Sequence, residues 1–201
     1  MSKAAPQVRY AEVERETRAT RVQVVLDLDG GTRRDISTGI HFFDHMLIEM
    51  AFHAQFDVGV VTEGDLEVDD HHSVMDTGIV LGQAIGQAIE GEQGIVRFGH
   101  ATVACDDALV RVALDLRGHG SCFFDVPFTR ERLGGLTTQA IEPFFRNVAV
   151  NSLMTLHATK LAGTNDHHVC EALFKAFGLA LFDSVKITER GTSSPTKGSR
   201  P

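Results

Sequence analysis

Two almost identical histidine pairs lie 96 residues apart in this chain of 201 residues, and each one opens a segment with helical spacing. Residues 70–75 read DHHSVM, and residues 166–171 read DHHVCE. Apolar side chains then recur at helical intervals, at positions 74, 81, 85 and 89 and at positions 173, 177, 181 and 185. Side chains three or four residues apart share one face of a helix. The repeat therefore predicts two similar half-domains that bury one shared core.

The order of predicted elements also recurs along the chain. The first half reads as strands at 8–17 and 20–28, a helix at 42–54, a strand at 56–62 and a helix at 71–89. The second half reads as strands near 101–105, 109–116 and 121–128, a helix at 139–150, a strand at 153–161 and a helix from residue 167. We predict an α/β fold of duplicated ββαβα half-domains at 1–95 and 96–190. Residues 191–201, rich in Gly, Ser, Thr and Pro, are predicted to form a C-terminal tail.

Composition excludes several classes of protein. A formal charge of -8 argues against a nucleic-acid surface, where Lys and Arg must neutralise phosphates. No uninterrupted apolar run reaches the roughly 18 residues of a membrane span. Three cysteines without CxxC spacing, and an N-terminus that does not resemble an export signal, favour a cytoplasmic protein.

The histidine pairs have the spacing of a metal site. His71 and His72 precede residue 75 by four and three positions, and His167 and His168 precede Glu171 in the same way. At the start of a helix, such side chains can share a face. Imidazoles with one carboxylate suit Mn, Fe, Co, Ni or Zn.

A third histidine would complete each site, but only one half of the chain offers it. His45 lies 26 residues before His71, and the corresponding point before His167 falls close to Pro143. Proline cannot be a ligand and is tolerated only near the start of a helix. We therefore expect Pro143 in or just beyond the first turn, or a helix that begins later than residue 139. His45 could instead be a packed histidine at a helix start, and His41, one helical turn earlier, could replace it as a ligand.

Several motifs, taken in order, resemble one enzyme family. They are FFDHML at 42–47, DDHH at 69–72, RFG at 97–99, and NDHH at 165–168 followed by EALFKA at 171–176. From about residue 9 to 198 the chain resembles imidazoleglycerol-phosphate dehydratase of histidine biosynthesis. The resemblance implies an α+β sandwich with left-handed βαβ crossovers and helices packed against mixed sheets. It also implies a cage-like homo-oligomer of about two dozen subunits and two Mn(II) ions held between subunits.

The family reaction removes water from D-erythro-imidazole-glycerol phosphate and gives imidazole-acetol phosphate. The departing proton lies on a carbon beside the imidazole and is barely acidic, so a general base alone is insufficient. Metal binding to the substrate imidazole stabilises the ring as it becomes imidazolate-like.

The resemblance also implies a role for individual residues. Metal ligands are implied at His45, His71, His72, His167, His168 and Glu171. Catalytic groups are implied at Glu171 and Asp106, and substrate contacts at Arg97, Lys175, Lys197 and His119.

The chain departs from the family at chemical positions. Met75 replaces a ligand glutamate, Pro143 a ligand histidine and Ala19 a catalytic glutamate, while His119 and Leu179 replace arginines. Losing an acid–base carboxylate lowers a rate by about 10²- to 10⁴-fold. Removing a residue that hydrogen-bonds to a metal ligand lowers metal affinity by roughly 10- to 100-fold. Removing the ligand itself should lower metal affinity by at least as much. We therefore expect fewer than two Mn(II) ions per subunit.

Three hypotheses follow from the sequence. The first is a divergent hydro-lyase acting on an imidazole phosphate, with His41 or His119 substituting for a lost group. The second is a non-catalytic paralogue, a metal- or ligand-binding subunit that co-assembles with an active relative. The third is a sequence altered on purpose to disable the site.

Overall fold

The computed structural model describes residues 8–90, 94–117 and 119–188. The strands are β1 Tyr10–Glu16, β2 Thr20–Asp27, β3 Arg34–Ser37, β4 Asp57–Gly64, β5 Phe98–Cys105, β6 Ala108–Asp115, β7 Ser121–Asp125, β8 Arg132–Leu133, β9 Leu136–Thr137 and β10 Thr155–Ala162. The helices are α1 His41–Ala54, α2 His71–Ala88, α3 Ile141–Ser152 and α4 Asp166–Val185. One turn of 3₁₀ helix, Thr138–Ala140, precedes α3.

Two four-stranded mixed sheets have the same strand order. The first sheet runs β1-β2-β4-β3 and the second runs β5-β6-β10-β7. In each sheet the last pair is parallel and the other pairs are antiparallel. The two halves therefore use one element order, βββαβα, and differ by the β8–β9 hairpin inserted before α3. The predicted α/β class is confirmed.

The four helices of the described residues pack between the two sheets. Helix α2 lies on β1 and β2, and α4 lies on β5 and β6. Alternate residues of β2 are buried beneath α2, which is the pattern of a sheet with one covered face. Phenylalanines fill the space where helices meet, since the Phe43 ring contacts those of Phe144 and Phe174 at 5.2 and 6.4 Å.

Each helix of one half packs against a helix of the other half. Helices α1 and α4 form one pair, and α2 and α3 form the second. A Cβ on Gly178 would lie 2.3 Å from the Met50 carbonyl oxygen, and one on Gly82 would lie 2.6 Å from the Val148 carbonyl oxygen. Only glycine allows backbones to approach this closely. The two contacts are equivalent in the two helix pairs. Gly82 of α2 therefore corresponds to Gly178 of α4, and Val148 of α3 corresponds to Met50 of α1.

Three details differ from the sequence expectations or lie beyond them. Strand β3 was not predicted, because only Ile36 among its four residues is apolar and no alternation marks it. Helix α3 begins at Ile141 rather than 139, which places Pro143 in its first turn. The tail at 191–201, with Lys197, lies outside the described residues.

None of the described helices has the length and apolar character needed to cross a membrane.

Candidate metal and substrate site

A histidine–carboxylate cluster lies between the N-terminal halves of α1 and α4. His45, Glu49 and Glu171 each place one ligand atom within 4.8 Å of the others. His167 joins them, since its Nε2 lies 3.5 Å from Glu171 Oε2. We call these four residues the α1–α4 cluster. Its imidazole and carboxylate donors can hold a divalent metal ion.

Local structure fixes the direction of His167. Asn165 caps α4, because its side-chain oxygen accepts a hydrogen bond from the His167 backbone N–H at 3.0 Å. The Phe42 ring packs edge-on against the His167 ring at 5.2 Å. The four-residue spacing of His167 and Glu171 then brings imidazole and carboxylate together on one helix face.

A lysine contacts both carboxylates of the α1–α4 cluster. Lys175 Nζ lies 2.5 Å from Glu171 Oε1 and 3.4 Å from Glu49 Oε2. The hydrogen bond from Lys175 lowers the pKa of Glu171, and the same bond raises the pKa of Lys175. The lysine that the resemblance assigns to the substrate therefore lies at the cluster.

His168 points away from Glu171 and towards the turn between β5 and β6. Its Nδ1 lies 2.8 Å from Asp107 Oδ1, and its Nε2 lies 3.3 Å from Asp106 Oδ2. Backbone N–H groups of Thr164 and Asn165, together with His168, hold the pKa of Asp107 far below its usual range. Asp106 has positive φ and leaves its side chain 78% exposed. The structure thus joins His168 to the predicted acid Asp106.

The α2–α3 pair contains a matching position for each residue of the α1–α4 cluster. Aligning Gly82 with Gly178, and Val148 with Met50, places Met75 where Glu171 stands. The same alignment places Pro143 at the position of His45 and Asn147 at that of Glu49. Asn147 Nδ2 donates to the Met75 carbonyl oxygen at 3.1 Å. At these three positions the α2–α3 pair has no carboxylate and no histidine that could bind a divalent ion. The expected second metal ion therefore does not fit the residues of the α2–α3 pair.

The first histidine pair keeps its exposed position at the start of α2. The His71 and His72 rings lie 6.0 Å apart, and His72 Nδ1 lies 3.4 Å from Asp65 Oδ1. His72 thus turns towards an aspartate outside its helix, as His168 does. His71, four residues before Met75, lacks the carboxylate that His167 has.

The aspartate before each histidine pair holds the β8–β9 hairpin rather than the histidines. Asp70 is 4% exposed and accepts hydrogen bonds from Thr137 N and Thr137 Oγ1. Asp166 is 1% exposed and accepts from Thr129 N, Thr129 Oγ1 and Arg130 N. Both ends of the hairpin are therefore fixed to the helix starts.

Two of the predicted substrate residues lie far from the α1–α4 cluster. Arg97 precedes β5, and its backbone N–H donates to the Ser184 carbonyl oxygen near the end of α4. The guanidinium forms a two-pronged pair with Asp115 at 2.6 and 2.8 Å. Ser184 follows His167 by 17 residues in α4, which corresponds to about 25 Å along the helix axis. Arg97 therefore lies at the end of α4 opposite the cluster.

His119 is exposed and lies beyond β6. Its neighbour Gly120 approaches the Val150 carbonyl oxygen near the end of α3, so His119 also lies at the end opposite the histidine clusters.

The position of the expected catalytic glutamate has no acid or base. Ala19 lies in the turn between β1 and β2, where its backbone N–H donates to Thr17 Oγ1. The next residue, Thr20, donates through its hydroxyl to Asp76, which also pairs with Arg15 at 2.7 Å. The turn is thus ordered without a carboxylate at residue 19.

Glu49 was missed in the sequence predictions, although a signal for it was present. It follows His45 by four residues in α1, the spacing that identifies Glu171 after His167. Neither the family motifs nor the histidine repeat includes it.

Fold and cluster together define a two-sheet α/β protein with a histidine–carboxylate site at the start of paired helices. The family described as imidazoleglycerol-phosphate dehydratase matches residues 38–181. Crystal structures of that enzyme from Staphylococcus aureus and Pyrococcus furiosus superpose with TM-scores of 0.81 and 0.79, both at 32% identity. They cover 89% and 90% of this chain, and 99% and 98% of their own.

Relatives with the same description are closer in sequence. That of Acidiphilium cryptum is 48% identical over 192 residues, covering 94% of this chain and 98% of its own. That of Caldicellulosiruptor saccharolyticus is 46% identical over 181 residues, covering 90% of this chain and 93% of its own. The chain belongs to the imidazoleglycerol-phosphate dehydratase family.

Proposed function

We propose that this chain is a hydro-lyase that converts D-erythro-imidazole-glycerol phosphate into imidazole-acetol phosphate and water, at a rate lowered by its substitutions. The observation that carries the proposal is the α1–α4 cluster, which lies within the family match and keeps histidine and carboxylate donors together. We propose that His45, His167 and Glu171 hold a Mn(II) ion, with His71, His72 and His168 as the remaining candidate ligands. When bound, the ion stabilises negative charge on the substrate imidazole.

The protein groups around the cluster have distinct tasks in this proposal. Asp106 exposes Oδ2 beside His168, where it can accept a proton and return it to the departing hydroxyl. Lys175 places a positive charge next to Glu171 and can contact an anionic substrate. Arg97 and His119 provide donors for the phosphate, although Arg97 must share its guanidinium with Asp115.

The substitutions lower the rate because they remove groups that act on protons or phosphate. Ala19 cannot transfer a proton, which costs about 10²- to 10⁴-fold in rate. His119 replaces an arginine that the resemblance assigns to the phosphate, and the planar fork of arginine binds phosphate oxygens better than an imidazole does. Leu179 replaces a second arginine. The expected consequence is a slow enzyme.

The distance between Arg97 and the α1–α4 cluster supports assembly from several copies. One small substrate cannot contact both ends of α4 in a single chain, which lie about 25 Å apart. We propose that the phosphate donors of one subunit face the cluster of another in a cytoplasmic homo-oligomer. The family resemblance puts its size at about two dozen subunits with closed symmetry.

A non-catalytic subunit is the second candidate, and one observation favours it. Met75 and Pro143 both fall in the α2–α3 pair, so two ligand losses coincide at one site. In this alternative the chain binds metal or ligand at the α1–α4 cluster and co-assembles with an active relative.

Metal stoichiometry combined with a dehydration assay tests the proposal. Protein purified with Mn(II) and exhaustively dialysed should retain about one ion per subunit by elemental analysis and should dehydrate the substrate slowly. His45→Gln should lose the ion, while the matched change His100→Gln, at an exposed position of β5, should keep it.

The possible outcomes separate the two candidates. Bound metal with slow turnover that EDTA abolishes supports the hydro-lyase. Bound metal without turnover supports the non-catalytic subunit. Two ions per subunit would contradict our account of the α2–α3 pair, and no bound ion would contradict the proposed metal site.

A further inference from the structure

We propose that Glu49 is a metal ligand of the α1–α4 cluster and gives this site a second carboxylate. Glu49 lies one helical turn after His45, and its carboxylate meets His45 and Glu171 within 4.8 Å. Its side chain is 23% exposed, close to the 17% of Glu171, so both carboxylates face the same partly enclosed space. With His167, the donors are two imidazoles and two carboxylates.

The position of Lys175 supports this assignment. Two carboxylates so close together repel each other unless a cation lies between them. Lys175 Nζ contacts both, at 2.5 Å from Glu171 and 3.4 Å from Glu49. A divalent ion would satisfy the same oxygens with more charge, so Lys175 and the ion compete for them. Lys175 would then turn outward, towards the space open to substrate.

The opposite helix pair provides an internal comparison. The position matching Glu49 in α3 is Asn147, whose amide donates to the Met75 carbonyl oxygen and joins two helices. The fold therefore does not require a carboxylate at this position. Glu49 occurs in the α1–α4 pair, which has a histidine and a glutamate at the other two positions. The α2–α3 pair has proline and methionine at those positions, and it has no carboxylate at the position of Glu49.

A purely structural role for Glu49 has less support. On its own helix, the ring of His53 also lies near the Glu49 carboxylate, with Nδ1 3.8 Å from Oε2. That ring nitrogen lies closer, at 2.8 Å, to the backbone oxygen of Glu49. At 3.8 Å the two side chains are beyond hydrogen-bonding distance, and so loose a pair contributes little to stability. A second carboxylate at the cluster instead strengthens binding of hard, oxygen-preferring ions such as Mn(II).

Mn(II) titration of the full chain tests the inference, which rests on the proposed metal site but not on turnover. Free Mn(II) is measured by electron paramagnetic resonance for the wild type and for E49Q, E49D, K175M and E14Q. Glu14 of β1 pairs with Arg21 of β2 and is not part of the cluster, so its variant is the matched control. We expect E49Q and E49D each to weaken binding about 10-fold or more, K175M to tighten it and E14Q to leave it unchanged.

E49D distinguishes direct coordination by Glu49 from a purely electrostatic effect of its charge. The variant keeps the negative charge but shortens the side chain by one methylene, so the carboxylate can no longer reach the ion. If E49D binds as the wild type does, Glu49 is not a ligand and the inference fails. If K175M weakens binding, competition between Lys175 and the ion is wrong. Equal thermal unfolding temperatures in EDTA show that the variants are folded, and if E49Q fails to fold, E49D and K175M decide the question. If the wild type itself binds no Mn(II), the proposed metal site fails as well, which distinguishes the two failures.

Discussion

Adjacent histidines in this chain have different partners, although the sequence pattern treats them alike. His167 faces Glu171, whereas His168 turns to Asp106 and Asp107, because successive helical positions point about 100° apart. The four-residue spacing identified the first contact from sequence. The second depends on where the β5–β6 turn lies, and residue spacing within α4 carries no information about it.

Asp29 provides a pH-dependent contact at the residue scale. Its carboxylate accepts hydrogen bonds from Arg9, which lower its pKa, and Arg9 also donates to the Val185 carbonyl oxygen. A lowered folded-state pKa means that the pair stabilises the protein above the ordinary aspartate pKa of about 3.9. That contribution is lost as the pH falls through the folded-state value. Asp29→Asn should lower Tm at neutral pH and have a smaller effect at the lowest pH that preserves the fold.

Thermal unfolding followed by circular dichroism across this pH range checks the Asp29 prediction. Asp35→Asn is the control, because Asp35 pairs with Arg33 on the open surface, and such pairs contribute little. An Asp29→Asn effect that is the same at every pH would contradict the expectation.

At the scale of elements, the helices and their apolar stripes were predictable, whereas short strands were not. The stripe of α4 follows from Leu173, Phe177 and Leu181, all buried in the structure. Strand β3 and the β8–β9 hairpin depend on partners distant in sequence, namely β4 and the aspartates at the helix starts. Their own residues have no alternating pattern, so local sequence could not indicate them.

Close helix packing predicts opposite effects for two glycines of α2. Gly82→Ala would place a Cβ 2.6 Å from the Val148 carbonyl oxygen and should destabilise the protein by about 1–3 kcal/mol. Gly86→Ala is the matched control, because its Cβ would lie 3.4 Å from the nearest atom and alanine favours a helix by about 0.5–1 kcal/mol. Urea unfolding measures both, and equal free energies of unfolding would contradict the packing argument.

Asp70 should be important for the β8–β9 hairpin. Asp70→Asn turns an amide N–H₂ towards donors of Thr137 and leaves a buried group unpaired, at a cost of about 1–3 kcal/mol. Denaturant unfolding should show this loss, and hydrogen exchange at the Thr137 amide should become faster. Asp183→Asn, at an exposed pair with Lys186, should change stability by less than about 0.5 kcal/mol. Unchanged exchange at Thr137 would show that Asp70 does not hold the hairpin.

At the scale of the whole molecule, the sequence predicts two substituted ligand positions but not that both lie in one helix pair. Met75 lies in the first half and Pro143 in the second, so the chain order separates them. Parallel packing of α2 with α3 brings their positions together, as it does for His45 and Glu171 in the other pair. That convergence is a property of the tertiary fold.

Restoring the α2–α3 pair should restore a second metal. Met75→Glu combined with Pro143→His should raise Mn(II) from about one to about two ions per subunit, measured by elemental analysis. Adding Ala19→Glu should then increase the dehydration rate by about 10²- to 10⁴-fold, and Ala19→Gln is the neutral control. Two bound ions without a gain in rate would show that losses beyond these three positions limit the reaction.

Pairing a helix of one half with a helix of the other has a practical consequence for splitting the protein. A chain divided after residue 90 would leave His45 and Glu49 on one fragment and Glu171 on the other. Neither fragment could form the α1–α4 cluster alone, but the two fragments together could. Mn(II) affinity would then report fragment complementation, with the metal acting as the agent that joins two otherwise separate polypeptides.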